Sequence, residues 1–138
     1  MSRGPRILVV DDDAFIRRPL ELILRAEGFD PCTAVDGEDC LRRLETLQPE
    51  LIILDIMMPG CDGFEVCRRI KQDARFCHIP VVLLSAQGRP HDRQKGIALG
   101  AEDYVTKPYS SAELVRRVRD LLAMRAIYTE RGTGECER

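Results

Sequence analysis

The chain has 138 residues, of which 44% are hydrophobic and 32% charged, and its formal net charge is −2. This length fits one domain whose core is large enough to be stable without metal or disulfide staples. The slightly acidic balance argues against a nucleic-acid-binding surface. No apolar run is long enough to cross a membrane and no signal-peptide pattern is present, so we expect a cytoplasmic protein.

The cysteines and histidines give no sign of a metal or nucleophile site. None of the six cysteines forms a C-x-x-C pair, and none stands at zinc-finger spacing from a histidine. We therefore expect reduced, structural thiols. His78 and His91 lie beside prolines, in predicted loops or helix ends, so a catalytic histidine is not expected.

Three apolar runs, at 7–10, 51–54 and 81–84, predict strands that are buried on both faces. Such strands are typical of a parallel sheet covered by helices on both sides. A helix follows the first run, with Asp13 as its N-cap and Gly28 as its stop. The stretch 30–35 predicts a weaker strand, and Pro31 places it near an edge of the sheet. A second helix follows Gly37.

The second half of the chain repeats the alternation of strand and helix. Asp62 predicts the N-cap of a third helix, and Glu65 three residues later resembles a capping box. A fourth helix, 90–100, contains Gly96, which costs about 0.5–1 kcal/mol relative to Ala. A short strand, 103–106, and a helix beginning near Ser111 complete the pattern. The helical pattern lapses after Arg125, so we assign 1–125 to the domain and 126–138 to a tail or linker.

Five successive strand–helix units predict an α/β fold with right-handed crossovers and helices on both faces of a parallel sheet. The three all-apolar strands belong in the centre, and the Pro-bearing second strand and short fifth strand belong at the edges. The strand order 2-1-3-4-5 satisfies this requirement. It is the flavodoxin-like arrangement.

Polar residues follow four of these strands and therefore meet at the carboxyl edge of the sheet. They are Asp11, Asp12, Asp55, Ser85 and Lys107. Any one of them alone has an ordinary role as a cap, turn or surface residue. Three carboxylates held together raise one another's pKa unless a cation lies among them, and an oxygen-only site suits Mg²⁺. Together they predict a carboxylate that is phosphorylated with help from a metal.

Over about residues 5–125 the chain resembles a response-regulator receiver domain of two-component signalling. Four stretches carry the resemblance, and together they are highly specific. They are ILVVDDD at 7–13, LDIMMPG at 54–60 with Asp62-Gly63, LSA at 84–86, and GAEDYVTKP at 100–108.

The resemblance implies that Asp55 accepts a phosphoryl group from a phosphohistidine on a sensor histidine kinase or phosphotransfer protein. It implies a Mg²⁺ ion held by Asp12, Asp55 and the backbone carbonyl of Met57, with Asp11 acting through a water. The family is a phosphoacceptor switch, which catalyses at most its own phosphoryl transfer and dephosphorylation.

The family's switch residues also have counterparts here. Ser85 and Lys107 are implied to contact the phosphoryl oxygens, and the bond between Lys107 and Pro108 is implied to be cis. On phosphorylation Ser85 would move toward the phosphate and Tyr104 would turn inward. This would bias a two-state equilibrium in the fourth helix, fifth strand and fifth helix.

Two other functions remain open from the sequence. A small phosphatase that forms an aspartyl phosphate would use the same chemistry at Asp55, but no second acid follows at close spacing. A flavodoxin-like cofactor binder would need a loop rich in Gly, Ser and Thr after the first strand, where this chain has three acids.

The output is not visible in the sequence, since no DNA-binding, cyclase or kinase segment follows residue 125. We expect either a downstream effector domain or a separate partner protein, with no direct contact to nucleic acid or membrane. We also expect a salt-bridged homodimer through the face formed by the fourth helix, fifth strand and fifth helix. The charges that suggest it are Arg116, Arg117, Arg119, Glu102 and Asp103.

Overall fold

The structure is a computed structural model that describes residues 4–58, 60–86 and 90–130. Pro59 and the predicted tail residues 131–138 lie outside this part of the chain. Five main strands alternate with five helices, and a two-residue hairpin, Met57–Met58 with Cys61–Asp62, follows the third strand. In chain order the elements are β1 (Arg6–Val10), α1 (Ala14–Ala26), β2 (Asp30–Ala34), α2 (Gly37–Leu47), β3 (Leu51–Asp55), α3 (Gly63–Gln72), β4 (Val81–Ser85), α4 (Pro90–Ala98), β5 (Asp103–Thr106) and α5 (Ser111–Glu130).

The main strands form one sheet in the order β2-β1-β3-β4-β5, and every neighbouring pair is parallel. The predicted flavodoxin-like topology is therefore confirmed. The Pro-bearing strand β2 and the short strand β5 are the edges, as their composition predicts. Because all five strands run the same way, their carboxyl ends share one edge of the sheet.

Alternating residues of the central strands belong to two separate hydrophobic cores, one on each face of the sheet. Leu8 and Val10 of β1 face one core, which is completed by residues of α2 and α3, and Ile7 and Val9 face the other, which is completed by residues of α1 and α5. The strand β3 is buried along its whole length. This two-sided burial explains why the central strands have no polar face of their own.

Aspartates are the N-caps of α1, α2 and α3, where Asp13, Asp36 and Asp62 accept hydrogen bonds from free backbone amides. Asp13 accepts from Phe15 at the start of α1, and Asp62 accepts from Phe64 at the start of α3, as predicted. The Glu65 carboxylate, predicted to form a capping box, pairs with Arg68 along the same helix. This neighbouring guanidinium is a charged donor that competes with the cap amide for the carboxylate.

The fifth helix is longer than predicted. It continues to Glu130, so the helical pattern does not end after Arg125 as expected, and the division into a domain and a tail or linker stays a prediction. Good helix formers such as Met124 and Ala126 extend the helix, and no Gly or Pro interrupts it before Gly132.

None of the helices in the described ranges is long and apolar enough to span a bilayer.

The cysteines depart from expectation at one position. Cys32, Cys40 and Cys67 are free thiols, but Cys77 is disulfide-bonded. The prediction that the thiols are reduced is therefore wrong for Cys77. Nothing in the spacing of the cysteines signals this bond, because spacing alone does not determine disulfide pairing.

A buried carboxylate ties β2 to α2. Asp39 is 5% exposed, and its side chain accepts from the Val35 amide at 2.9 Å, from Arg42 at 2.7 Å and from Arg43 at 3.0 Å. Burial acts to raise the pKa of Asp39, but the Val35 amide and the two guanidinium groups outweigh it, so the pKa is lowered. The ionised form is thus the one that the fold stabilises.

We predict that Asp39→Asn lowers the free energy of unfolding by about 1–3 kcal/mol at pH 7, since it leaves buried hydrogen bonds unmade. The native pKa lies below the unfolded value, so this stabilisation is present above pH 4 and is lost as the pH falls through the native pKa. The difference between the two proteins should shrink accordingly in urea unfolding measured from pH 7 to pH 3. Glu38→Gln, at an exposed neighbour, is the control and should change stability by less than about 0.5 kcal/mol.

Candidate functional site

Two of the predicted site residues are buried where their strands end. Asp55 is the last residue of β3 and is 5% exposed, and Ser85 is the last residue of β4 and is 1% exposed. The two strands are adjacent, and the Ile56 amide donates to the Leu84 carbonyl at 3.1 Å just beyond the paired segment. The strand order therefore places the side chains of Asp55 and Ser85 in one crevice.

The Asp55 carboxylate is held at both oxygens. Its Oδ1 accepts from the Met57 amide at 2.9 Å, and its Oδ2 lies 3.2 Å from Nζ of Lys107. The lysine is fixed through its backbone, whose amide donates to the Ser85 carbonyl at 2.7 Å. The peptide bond between Lys107 and Pro108 is cis, as the sequence resemblance implied. A charged donor thus faces one oxygen of a nearly buried acid.

Asp11 is the second buried acid of the site, at 2% exposure. Its Oδ1 accepts from the Asp13 amide at 3.0 Å, whereas its Oδ2 is buried without a hydrogen-bond donor. Burial raises the pKa of Asp11 to about 7, against the opposing effect of the Asp13 amide, and the nearby Asp55 carboxyl raises it further while Lys107 lowers it. Two buried carboxyl groups with one nearby ammonium leave an excess of negative charge.

This arrangement fits a bound cation. Oδ2 of Asp11 has no hydrogen-bond donor among the described residues, and burial raises the pKa of this group, so a nearby cation would stabilise its ionised form. Asp12 is exposed beside it, and no three His, Cys, Asp or Glu side chains in the described ranges are close enough to form a metal site by themselves. The donor set is therefore one of few carboxylates, which suits Mg²⁺ because that ion keeps several of its waters.

Sequence reasoning missed two side chains beside the acids. Arg17 of α1 donates from Nη1 to the Asp11 carbonyl at 2.8 Å and so fixes the backbone from which the acids project. Burial raises the pKa of the Tyr109 phenol, and Asp11 and Asp55 raise it further, which places that phenol near the acids. Arg17 could not be told from its neighbour Arg18 in the sequence. Tyr109 followed the lysine–proline pair without any signal of its own.

Tyr104, the predicted switch aromatic, is already buried at 2% exposure and belongs to the core beneath α2, α3 and α4. Its carbonyl accepts from Arg93 of α4 at 3.2 Å. Next to it, Asp103 pairs with Arg117 of α5 at 2.7 Å. The fourth helix, fifth strand and fifth helix are thus joined by polar contacts as well as by packing.

Several charges expected at a dimer interface are engaged within the chain. Arg117 pairs with Asp103, Arg119 pairs with Glu27 at 3.3 Å, and Glu102 pairs with Lys71 at 2.7 Å. An intermolecular salt bridge through any of these residues would have to replace an existing contact.

Comparison with known families agrees with this geometry. The model of the response regulator receiver domain matches residues 7–119. The chain belongs to this family. The matched range covers all five main strands and the first half of α5, so the receiver fold accounts for nearly the whole described domain.

Individual relatives are similar at moderate identity. The receiver domain is 45% identical over 118 residues to the DNA-binding dual master transcriptional regulator RpaA of Synechocystis, covering 86% of this chain and 49% of that protein. It is similar to the crystal structure of a putative response regulator from Chloroflexus aurantiacus, with 36% identity, a TM-score of 0.84, and coverage of 88% of this chain and 99% of that one. It is also similar to the BeF3-activated DrrB receiver domain, with 33% identity, a TM-score of 0.78, and coverage of 87% and 98%.

The receiver domain spans about half the length of the curated relatives that it matches. Several of those relatives are described as transcriptional regulators or DNA-binding response regulators. Their DNA-related descriptions apply to whole proteins, of which this chain matches only part.

We predict that the buried Asp11 carboxylate destabilises the metal-free receiver domain at neutral pH. Its native pKa, about 7, lies above its unfolded value of 3.8. Stability is therefore fullest below pH 4 and falls as the pH rises through 7, at about 1.4 kcal/mol for each unit of raised pKa. In EDTA, Asp11→Asn should raise the free energy of unfolding at pH 8 and leave it nearly unchanged at pH 4.

Asp12→Asn is the matched control, because it alters an exposed carboxylate next to the buried one. It should keep the pH dependence of the wild type in EDTA. Adding Mg²⁺ at pH 8 should stabilise the wild type more than either variant, as followed by thermal unfolding. An Asp11→Asn protein that is less stable than the wild type at pH 8 in EDTA would contradict the assignment.

Proposed function

We propose that this receiver domain is a phosphorylation switch whose phosphoacceptor is Asp55. The observation that carries the proposal is the placement of Asp55, nearly buried at the end of β3, with Nζ of Lys107 3.2 Å from its Oδ2. A buried nucleophile beside an ammonium group can accept an anionic group because the cation offsets the added charge. Ser85, at the end of the adjacent strand, offers a hydroxyl donor to the same anion.

The donor would be a phosphohistidine on a sensor histidine kinase or phosphotransfer protein. A carboxylate oxygen of Asp55 attacks phosphorus, the new O–P bond forms as the P–N bond breaks, and the departing imidazole takes a proton from water. Lys107 keeps its proton throughout and exchanges its contact with the carboxylate for one with a phosphoryl oxygen. The site thus positions and neutralises the group, which is the main requirement of phosphoryl transfer.

Mg²⁺ is part of this proposal. Asp12, Asp55 and the Met57 carbonyl would hold the ion, with Asp11 acting through a metal-bound water. When bound, the ion supplies charge stabilisation for the phosphoryl oxygens. The orphan Oδ2 of Asp11 supports the proposal, because a hydrated cation would satisfy it.

The proposed output is a change in α4, β5 and α5. Ser85 would move toward the phosphoryl group, and burial of Tyr104 would be favoured over its exposed alternative. Tyr104 is already inward in this structure, so phosphorylation would strengthen an existing arrangement and not create a new one. The altered face would then act on a downstream effector domain or a partner protein.

The phosphoacceptor assignment predicts that the wild type, incubated with acetyl phosphate and Mg²⁺, gains the mass of one phosphoryl group. Asp55→Asn should gain none, because an amide is not a nucleophile for this transfer. Intact-protein mass spectrometry measures both. Lys107→Ala should be phosphorylated about 10²-fold more slowly, the lower end of the effect of losing one charge-stabilising donor.

Asp62→Asn is the control for the loss of a nearby carboxylate, since the Asp62 side chain caps α3 by accepting from the Phe64 amide. It should be labelled like the wild type. Labelling of Asp55→Asn at the wild-type rate would overturn the assignment of Asp55, and labelling that does not depend on Mg²⁺ would overturn the metal part of the proposal.

We also propose that the phosphorylated domain forms a homodimer through α4, β5 and α5. Arg116 is exposed on α5, and Ile97 is 46% exposed on α4, so this face carries both a free charge and apolar surface. Sedimentation velocity with beryllofluoride and Mg²⁺ should show a doubled mass in the wild type and a monomer in Asp55→Asn. A wild type that stays monomeric while beryllofluoride binds would rule the dimer out.

A further inference from the structure

Gly96 is the one buried residue of α4, and it lies directly against the sheet. A Cβ atom built at this position would lie 2.7 Å from Cδ1 of Leu83, 3.5 Å from Cδ2 of Tyr104 and 3.7 Å from Cε1 of Phe64. The first distance is shorter than real Cβ contacts allow, and the other two are ordinary van der Waals contacts. A side chain at position 96 would therefore require either Leu83 or α4 to move.

The residue that Gly96 meets has little room to move. Leu83 lies in the central part of β4 and is 0% exposed, and it stands opposite Tyr104 in the register of β4 and β5. A well-packed core resists the displacement of such a side chain. A methyl group at position 96 would therefore push α4 away from β4 and β5.

Leu83 and Tyr104, the two residues beneath Gly96, also connect α4 to the proposed phosphorylation site. Leu83 precedes Ser85 by two positions on β4, so both side chains lie on the same face of that strand. Tyr104 is covered by α4, whose Arg93 also binds its carbonyl. The depth at which α4 lies on the sheet thus affects Leu83 and Tyr104 together.

We propose that Gly96 is a positioning residue of the switch. Its missing side chain lets α4 lie close on Leu83, and this close packing holds Tyr104 in the buried arrangement that phosphorylation of Asp55 favours. The inference rests on the proposed function, and it adds the contact through which α4 is coupled to the site.

Two opposing effects of an alanine at position 96 make the proposal testable. The sequence predicted that Gly96 weakens α4, and Ala is indeed the better helix former. At an unhindered helix position the change to Ala would therefore stabilise the protein. Here the contact with Leu83 opposes it, and Gly96→Ala should expose Tyr104 even though the helix itself is stronger.

The first measurement needs no ligand. Proteins labelled with ¹³C-tyrosine are compared by NMR with a soluble paramagnetic relaxation agent, and the Tyr104 signal is assigned with Tyr104→Phe. The Tyr104 ring should be protected in the wild type and relaxed markedly faster in Gly96→Ala. Gln94→Ala, at an exposed position of the same helix, is the control and should keep the wild-type protection.

The second measurement is the affinity for beryllofluoride with Mg²⁺, by calorimetry. Gly96→Ala should bind at least about fivefold more weakly than the wild type, the lower range of coupling between linked sites. Leu83→Val removes the δ-methyl group that a Cβ would meet. In a Leu83→Val background, Gly96→Ala should change the affinity by less than about twofold, because the two residues no longer interact.

The outcomes separate this inference from the proposed function. A wild type that fails to bind beryllofluoride overturns the proposed function, while the tyrosine measurement still decides the packing role of Gly96. Tyr104 that stays protected in Gly96→Ala, or unchanged affinity in a wild type that binds, overturns the inference. If Gly96→Ala does not fold, the proposal is tested with the double variant Gly96→Ala, Leu83→Val. If that variant also fails to fold, the proposed role of Leu83 is overturned.

Discussion

The structure depends on keeping two carboxyl groups, those of Asp11 and Asp55, buried beside a single ammonium group. Burial opposes ionisation of Asp11, and among the described residues the Asp13 amide and Lys107 act against it. A site of this kind is poorly satisfied by the protein itself. It gains most when a divalent cation and an anion arrive together, since each supplies the charge that the other lacks.

The rest of the fold makes this concentration of acid possible. The cores on both faces of the sheet fix the strand ends from which the acids project, and Arg17 holds the Asp11 carbonyl from outside the sheet. The Lys107 amide donates to the Ser85 carbonyl, and this contact holds the backbone of the lysine beside the acids.

The sequence predicts the topology and the meeting of Asp11, Asp55 and Lys107 at one sheet edge, because both follow from local pattern. Apolar runs define the strands, and residues such as Asp55 and Lys107 follow those strands directly. It fails where partners come from distant elements. Glu65 looks like a cap until Arg68 competes for it, and Gly96 looks like a weak point in a helix until Leu83 is seen beneath it. Such contacts are tertiary, and no local pattern encodes them.

The strand β4 joins the two halves of the proposed switch. Its end carries Ser85 beside the acids, and its middle carries Leu83 beneath α4. The sheet is paired on both sides of β4 and its core is closely packed, so the sheet itself has little freedom to move. By contrast α4 buries only Gly96 and contributes few apolar contacts. Under the proposed function, α4 is therefore the element whose packing a shift at Ser85 would alter most easily.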